Sequence, residues 1–175
     1  DTSTPFMATK SGAIVEALRQ CEACRILSTE DLPLAESRKK FPATIDGLVK
    51  RHGTKWTHVV AVNDVYFDMM DKPEIEKVIA GNNLRGISAG DGSPTAFKRI
   101  RKGDLQIGSV PEPLFLHGWQ LVDELNRAMS KVAPSGYNAP LHLVTLQNIT
   151  YDGGPKDVFD PSNDFRAKYL SYWGK

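Results

Sequence analysis

The chain has 175 residues, 41% of them apolar and 25% charged, with a net charge of +1. That length suits one domain or one large lobe, and the near-zero charge gives no basis for binding nucleic acid or an anionic membrane surface. No apolar run reaches the roughly 18 residues of a membrane span.

Asp1-Thr2-Ser3-Thr4-Pro5 reads as a loop without an initiator Met, the expected start of a mature piece or of a fragment. Thr9 to Gln20 then places Ala13, Ile14, Ala17 and Leu18 on one face, which predicts an amphipathic helix. Cys21 and Cys24 follow as a single CxxC pair. One such pair does not complete a tetrahedral zinc site, and His52, His58, His117 and His142 lack ligand spacing, so no metal is expected. The pair follows a helix rather than opening one. That disfavours a thiol–disulfide enzyme and favours a structural disulfide.

Arg25 to Ser28 is a strand candidate, and Glu30 to Ser37 reads as a loop because of Pro33. Phe41 to His52 predicts a second helix, stopped by Gly53. His58 to Val62 is a continuous apolar β run, as for a strand covered on both faces. Pro73 to Ala80 predicts a helix and Leu84 to Ala89 a strand. Ser93 caps, and Pro94 opens, a helix running to about Lys102, with Arg99, Arg101 and Lys102 read as its solvated end. Leu105 to Val110 is the next strand, broken by Pro111-Glu112-Pro113. The longest helix, Leu114 to Val132, carries an apolar stripe of Trp119, Val122, Leu125, Met129 and Val132. Leu141 to Leu146 is the last strand. An acidic tail with Asp152, Asp157, Asp160 and Asp164 reads as solvated, and Phe165, Tyr169, Leu170 and Trp173 predict a short helix pinning the terminus.

Alternating strands and helices with short connections imply a three-layer, Rossmann-like α/β fold with a parallel sheet. Such sheets bind ligands beyond the carboxyl ends of their strands. Asn63-Asp64, Gly90-Asp91-Gly92 and Pro111-Glu112 each lie just past a predicted strand, with Ser28 to Asp31 past a fourth. Tyr66 and Phe67 follow the first of these, and Phe6 opens the chain. Each motif alone reads as a turn or as core. Together, carboxylates and an amide beside aromatic rings suit a neutral polyol: the acids bind hydroxyls and the rings cover C–H faces. The Gly90 loop has neither the GxGxxG spacing nor a P-loop lysine, so no nucleotide cofactor is expected. No Gly-x-Ser-x-Gly elbow or nucleophile–base pair stands out, so no enzyme chemistry is assigned. Asn148-Ile149-Thr150 matches a glycosylation sequon, a short pattern that arises by chance.

The segments KWTHVVAVNDVYFD, GISAGDGSPTAFKRIRKGDLQIGSVPEPLFLHGWQLVDELNRA and LHLVTLQN carry a resemblance. The chain resembles the C-terminal lobe of type I periplasmic sugar-binding proteins of ABC transporters, the ribose-binding-protein-like group, whose lobe also serves as the effector domain of LacI-type repressors. The resemblance implies that Asn63 in the Asn63-Asp64 pair contacts a sugar and that Asp91 binds its hydroxyls. It places Glu112 where many members have Gln, and Phe6 or Lys10 where they have Arg. It implies a lobe core over 1–110, a crossover and long helix over 111–140 that would pack on a first lobe, and a return strand and tail over 141–175. The first lobe and the opening strand of the second are absent from this pattern, which leaves the stripe on Leu114 to Val132 open to self-association. The resemblance further implies a monosaccharide or polyol ligand, a permease partner and a periplasmic location. The candidate ligand residues are thus Asn63, Asp64, Asp91, Glu112, Phe6 and Tyr66. The rival readings are a LacI-type effector domain and an enzyme on a doubly wound fold.

Overall fold

A computed structural model describes residues 1–153 and 156–174. Thr4 opens helix α1 (Pro5–Gln20) earlier than its apolar periodicity predicts: its hydroxyl accepts the Met7 N–H at 3.2 Å, and Pro5 fits the first turn, where no N–H is needed. Cys21 and Cys24 are joined by a disulfide just beyond α1. The predicted strand at Arg25 to Ser28 does not form; among the described residues the segment joins no sheet. A strand exists only through a neighbour that takes up its N–H and C=O groups, and the apolar pattern alone carried no information about one.

Helix α2 (Leu34–His52) begins one residue after Pro33, so Leu34 to Ser37, expected as loop, is helical. It also runs through Pro42, which normally disfavours a helix interior. Burial of Ser37, Phe41 and Ile45 at i, i+4 and i+8 binds this helix to the core and outweighs that preference. Strand β1 (His58–Ala61) leads at once into a helix the periodicity did not reveal, α3 (Val65–Met70), followed by α4 (Pro73–Ile79). Strand β2 (Arg85–Ser88), helix α5 (Pro94–Lys102) and strand β3 (Gln106–Ser109) follow as predicted within a residue or so. The Ser93 hydroxyl accepts the Ala96 N–H at 3.2 Å, and Gly103 ends α5 at φ +70°, a conformation only glycine adopts freely.

The sheet has the order β1-β2-β3-β4. The first three strands are parallel, so Ala61, Ser88 and Ser109 align at one edge. Strand β4 (Val144–Thr145) is antiparallel to β3, so the sheet is mostly parallel, with one antiparallel strand at its edge. Val59 and Gly86 point toward α3: a Cβ on Gly86 would come within 2.6 Å of the Phe67 ring, so glycine is what lets this helix lie on the strand. The alternate row, Val60, Ile87 and Ile107, points the other way and stays 37–39% exposed. The largest core cluster joins Phe41, Ile45, Ala61, Phe67, Met70 and Ile75, and a second joins Phe97, Ile100, Val144, Ile149 and Phe159.

Helix α6 (Leu114–Met129) is separate in character. Its Leu116 and Trp119 pack against Phe165, Tyr169 and Trp173 on and just after α8 (Phe165–Tyr172), with the Trp119 and Trp173 rings stacked at 5.5 Å. The expected single stripe therefore divides. Trp119 is partly buried, whereas Val122, Leu125 and Met129 remain exposed, together with Val132 beyond the helix end. The tail is more tightly paired than its composition suggests: Asp152 meets His142 at 2.7 Å, Asp157 meets Arg101 at 2.9 Å and Asp160 meets Arg166 at 2.7 Å. The sequon Asn148, just before the short helix α7 (Ile149–Asp152), turns its side chain inward, accepting from Thr145 N and donating to the Leu143 carbonyl. Among the described residues no helix is long and apolar enough to cross a membrane.

Candidate functional site

The aligned ends of β1, β2 and β3 gather the loops at Asn63-Asp64, Gly90-Gly92 and Pro111-Glu112 onto one edge. Two observations fix this. A Cβ on Gly90 would lie 2.7 Å from the Asp64 nitrogen, and the Glu112 N–H donates to the Gly90 carbonyl at 3.1 Å. Three residues expected there by separate motifs are thus neighbours.

Their side chains fall into two groups. Asn63 is half-buried; its Oδ1 accepts the Val65 N–H at 3.0 Å, closing an Asx turn into α3. Its NH2 has no protein acceptor among the described residues. Asp91 is exposed and Glu112 half-buried, and neither carboxylate has a hydrogen bond or ion pair among the described residues. Asp64 differs. It is 2% exposed, and both oxygens are taken by protein donors. Oδ1 accepts from the Ser88 hydroxyl, from Gln106 Nε2 at 2.8 Å and from the Ser109 hydroxyl at 3.0 Å; Oδ2 accepts the Gly92 N–H at 2.9 Å. The expectation that Asp64 contacts a ligand is corrected on this ground: it has no acceptor direction turned to solvent. A buried carboxylate with that many donors is anchored, not waiting.

A chain of charge supports it from behind. Arg99, expected at a solvated helix end, is 8% exposed. Its Nε donates to Gln106 Oε1 at 2.8 Å, and its Nη1 meets Asp68 at 2.7 Å and Asp71 at 2.9 Å. Gln106 therefore receives from Arg99 on one side and gives to Asp64 on the other. The periodicity of α5 hid this, because Arg99 sits one position from Ile100 on the inward face and its partners lie in α3, its C-cap and β3.

Of the aromatic candidates, Tyr66 is tied down. Its hydroxyl donates to the Leu32 carbonyl at 2.5 Å and its ring packs on the main core cluster. Burial, helped by the Asp31 charge, pushes its pKa up to about 12. The expectation that it covers a ligand face is therefore replaced by a structural role, holding the 29–33 segment to α3. Phe6 is different: its ring is 60% exposed, and the Lys10 ammonium lies 4.8 Å from the ring centre. That ammonium donates to the Ala89 carbonyl at 3.0 Å and the Val62 carbonyl at 3.4 Å. Lys10 thus caps the ends of β1 and β2 and brings α1 and Phe6 to the same edge. The signal in the sequence was the one-turn spacing of Phe6 and Lys10.

The edge therefore offers an amide, two unpaired carboxylates, one ammonium already engaged with carbonyls, and an exposed ring. That set can exchange hydrogen bonds with hydroxyls and cover an apolar face, and it contains no nucleophile–base pair. Two open surface depressions lie elsewhere. One, of about 450 Å³, runs along the end of α1 past Cys24 to Thr29; the other, of about 400 Å³, is bordered by paired charges at Asp68, Arg99 and Lys102. Among the described residues no His, Cys, Asp and Glu cluster is arranged to hold a metal ion.

No protein-family model matches the sequence, and no curated protein is similar to it in sequence. Among solved structures, the crystal structure of a galactofuranose binding protein is similar in fold, with a TM-score of 0.55 and 18% sequence identity. The match covers 77% of this chain and 45% of that one, so the chain spans less than half the length of that neighbour. The α/β sheet and this likeness together show a Rossmann-like α/β fold with a mostly parallel sheet.

Proposed function

We propose that this chain is a solute-binding lobe for a monosaccharide or related polyol. The observation that carries the reading is the contrast at the strand-end edge: Asp64 is saturated by protein donors, while Asn63 NH2, Asp91 and Glu112, on neighbouring loops, have no protein partner among the described residues. Neutral sugars present the complementary groups, hydroxyls for the carboxylates and a C–H face for Phe6. The fold neighbour's ligand, galactofuranose, is the first sugar to try.

In this reading ligand binding closes the lobe against another, by a hinge, and a membrane permease reads the closed form. The other lobe would also cover the exposed Val122, Leu125 and Met129 face of α6; without it, two copies of the chain meet there. The Cys21–Cys24 disulfide is in keeping with an exported, periplasmic protein. The lobe does no chemistry on its ligand.

The test is a thermal-shift screen of galactofuranosides, galactose, ribose and inositol, followed by titration calorimetry of Asp91→Ala with the best of them. Binding to the native state raises the melting temperature. Loss of the Asp91 carboxylate should weaken binding by about 2–4 kcal/mol, the value of a charge-assisted bond and its orphaned partner. Asp91→Ala titrating like the parent defeats the assignment.

A further inference from the structure

The saturated carboxylate suggests a role that the ligand reading alone does not supply. Asp64 Oδ2 accepts the Gly92 N–H at 2.9 Å, and Gly90 packs so closely on Asp64 that a Cβ would lie 2.9 Å from the same oxygen. Gly92 holds φ +67°, and a Cβ there would come within 2.4 Å of Pro111. The Gly90 carbonyl accepts the Glu112 N–H at 3.1 Å. The Gly90–Gly92 loop is thus clamped between Asp64 and Pro111-Glu112, and Asp91 is the residue in the middle of the clamp.

We infer that Asp64 is the positioning residue of the strand-end edge: one buried carboxylate sets the shape of the Gly90–Gly92 loop, and with it the place of Asp91 relative to Glu112. The inference rests on the strand-end site proposed above, but its structural half stands without any ligand.

The chemistry of the network makes the carboxylate irreplaceable by its amide. If Asn at position 64 keeps its oxygen on Ser88, Gln106 and Ser109, its NH2 faces the Gly92 N–H, donor against donor. If it turns over, the NH2 faces Gln106 Nε2. Turning Gln106 in response would put an NH2 against Arg99 Nε, which now donates to Gln106 Oε1 at 2.8 Å. Every arrangement leaves one buried donor facing another. The serines are more forgiving, because their hydroxyls rotate to give or accept.

The experiment is amide hydrogen exchange by nuclear magnetic resonance on the chain itself, comparing the parent with Asp64→Asn and Ser109→Ala. In the parent, the Gly92 amide should be strongly protected. In Asp64→Asn its exchange should quicken by about tenfold to a hundredfold relative to the amides in α2, the equivalent of one hydrogen bond to a charged group. Ser109→Ala removes a different donor from the same carboxylate and should leave Gly92 as slow, relative to α2, as in the parent. A merely structural role for Asp64 would make both variants quicken Gly92 and α2 alike, and that result overturns the inference. So does Gly92 staying as protected in Asp64→Asn as in the parent. Should Asp64→Asn fail to fold, the parent decides alone: a scalar coupling across the hydrogen bond from the Gly92 nitrogen to the Asp64 carboxyl carbon supports the inference, and its absence, or an unprotected Gly92 amide, overturns it. Asp91→Ala in the sugar titration separates the two claims, because it leaves the Gly92 bond intact. Undiminished binding there ends the sugar reading and leaves the exchange result standing.

Discussion

Asp64 and Asp123 are both buried carboxylates, 2% and 3% exposed, and they are satisfied in different ways. The donors to Asp64 lie between 24 and 45 residues along the chain, on β2, on β3 and in the loop after β2. None of them is near it until the sheet has assembled. Asp123 accepts from Arg127, one turn on in α6, at 2.7 Å, and from the Trp173 indole N–H, 50 residues away, at 2.8 Å. Half of its satisfaction is local and persists if α8 swings off. The strand-end edge accordingly depends on the assembled sheet, while the α6–α8 aromatic clamp has the means to open by itself. For a protein read as binding by closure, that places rigidity at the ligand edge and compliance on the helix whose outer face is still uncovered.

The largest expected difference is in stability. Asp64→Ala strands donors from three chain segments in a dry site and should cost about 3–5 kcal/mol in urea unfolding. Asp123→Ala leaves Arg127 free to reach water and should cost about 1–3 kcal/mol. Equal losses would erase the distinction drawn between the two sites.

Acid sharpens the same comparison. Burial opposes the charge on Asp123, but hydrogen bonds from Arg127 and Trp173 outweigh it and hold the carboxyl below the usual range. A carboxyl depressed in the folded state contributes stability that is complete above its unfolded value, about 3.9, and is lost as pH falls through the lower folded value. The near-ultraviolet circular dichroism of the stacked Trp119 and Trp173 pair should hold at about pH 5 and fade below about pH 4. Trp173→Tyr removes the indole donor, brings the folded value back toward the ordinary one and reduces the share of stability that depends on this carboxylate. A clamp signal indifferent to pH would remove Asp123 from the account of α8.

The smallest effect belongs to Tyr66. Its folded pKa stands at about 12, above the ordinary value near 10. The stability it provides is complete below about pH 10 and is lost as pH rises toward 12. Tyr66→Phe should flatten that alkaline loss and cost about 1 kcal/mol at neutral pH, through the unpaired Leu32 carbonyl. An unchanged alkaline profile would mean that the hydroxyl is not held as described.

Much of the fold was legible along the chain. The strands at 58, 85 and 106 and the helices at 94 and 114 announce themselves by apolar runs, by Ser93-Pro94 and by Gly103. Residues 25–28 had a strand's composition but no strand partner among the described residues, and α3 was hidden because six residues do not complete two turns of periodicity. At the candidate site, the loops were legible because parallel strands end on one edge, but the roles of the residues within them were not. Asn63 and Asp64 are adjacent polar residues after the same strand, yet the NH2 of one has no acceptor among the described residues and the other is buried under four donors.

By itself, the sequence determined most of the strands and helices and that Asn63, Asp91 and Glu112 follow strand ends, because capping, turn chemistry and apolar periodicity act over a few residues. Only the tertiary structure decided that Asp64 turns inward, that Arg99 is buried behind Gln106, that Lys10 caps two strands and that Tyr66 is a core tether. Those outcomes depend on which distant donor reaches a group first once water is excluded, and a side chain's local neighbours carry no record of that.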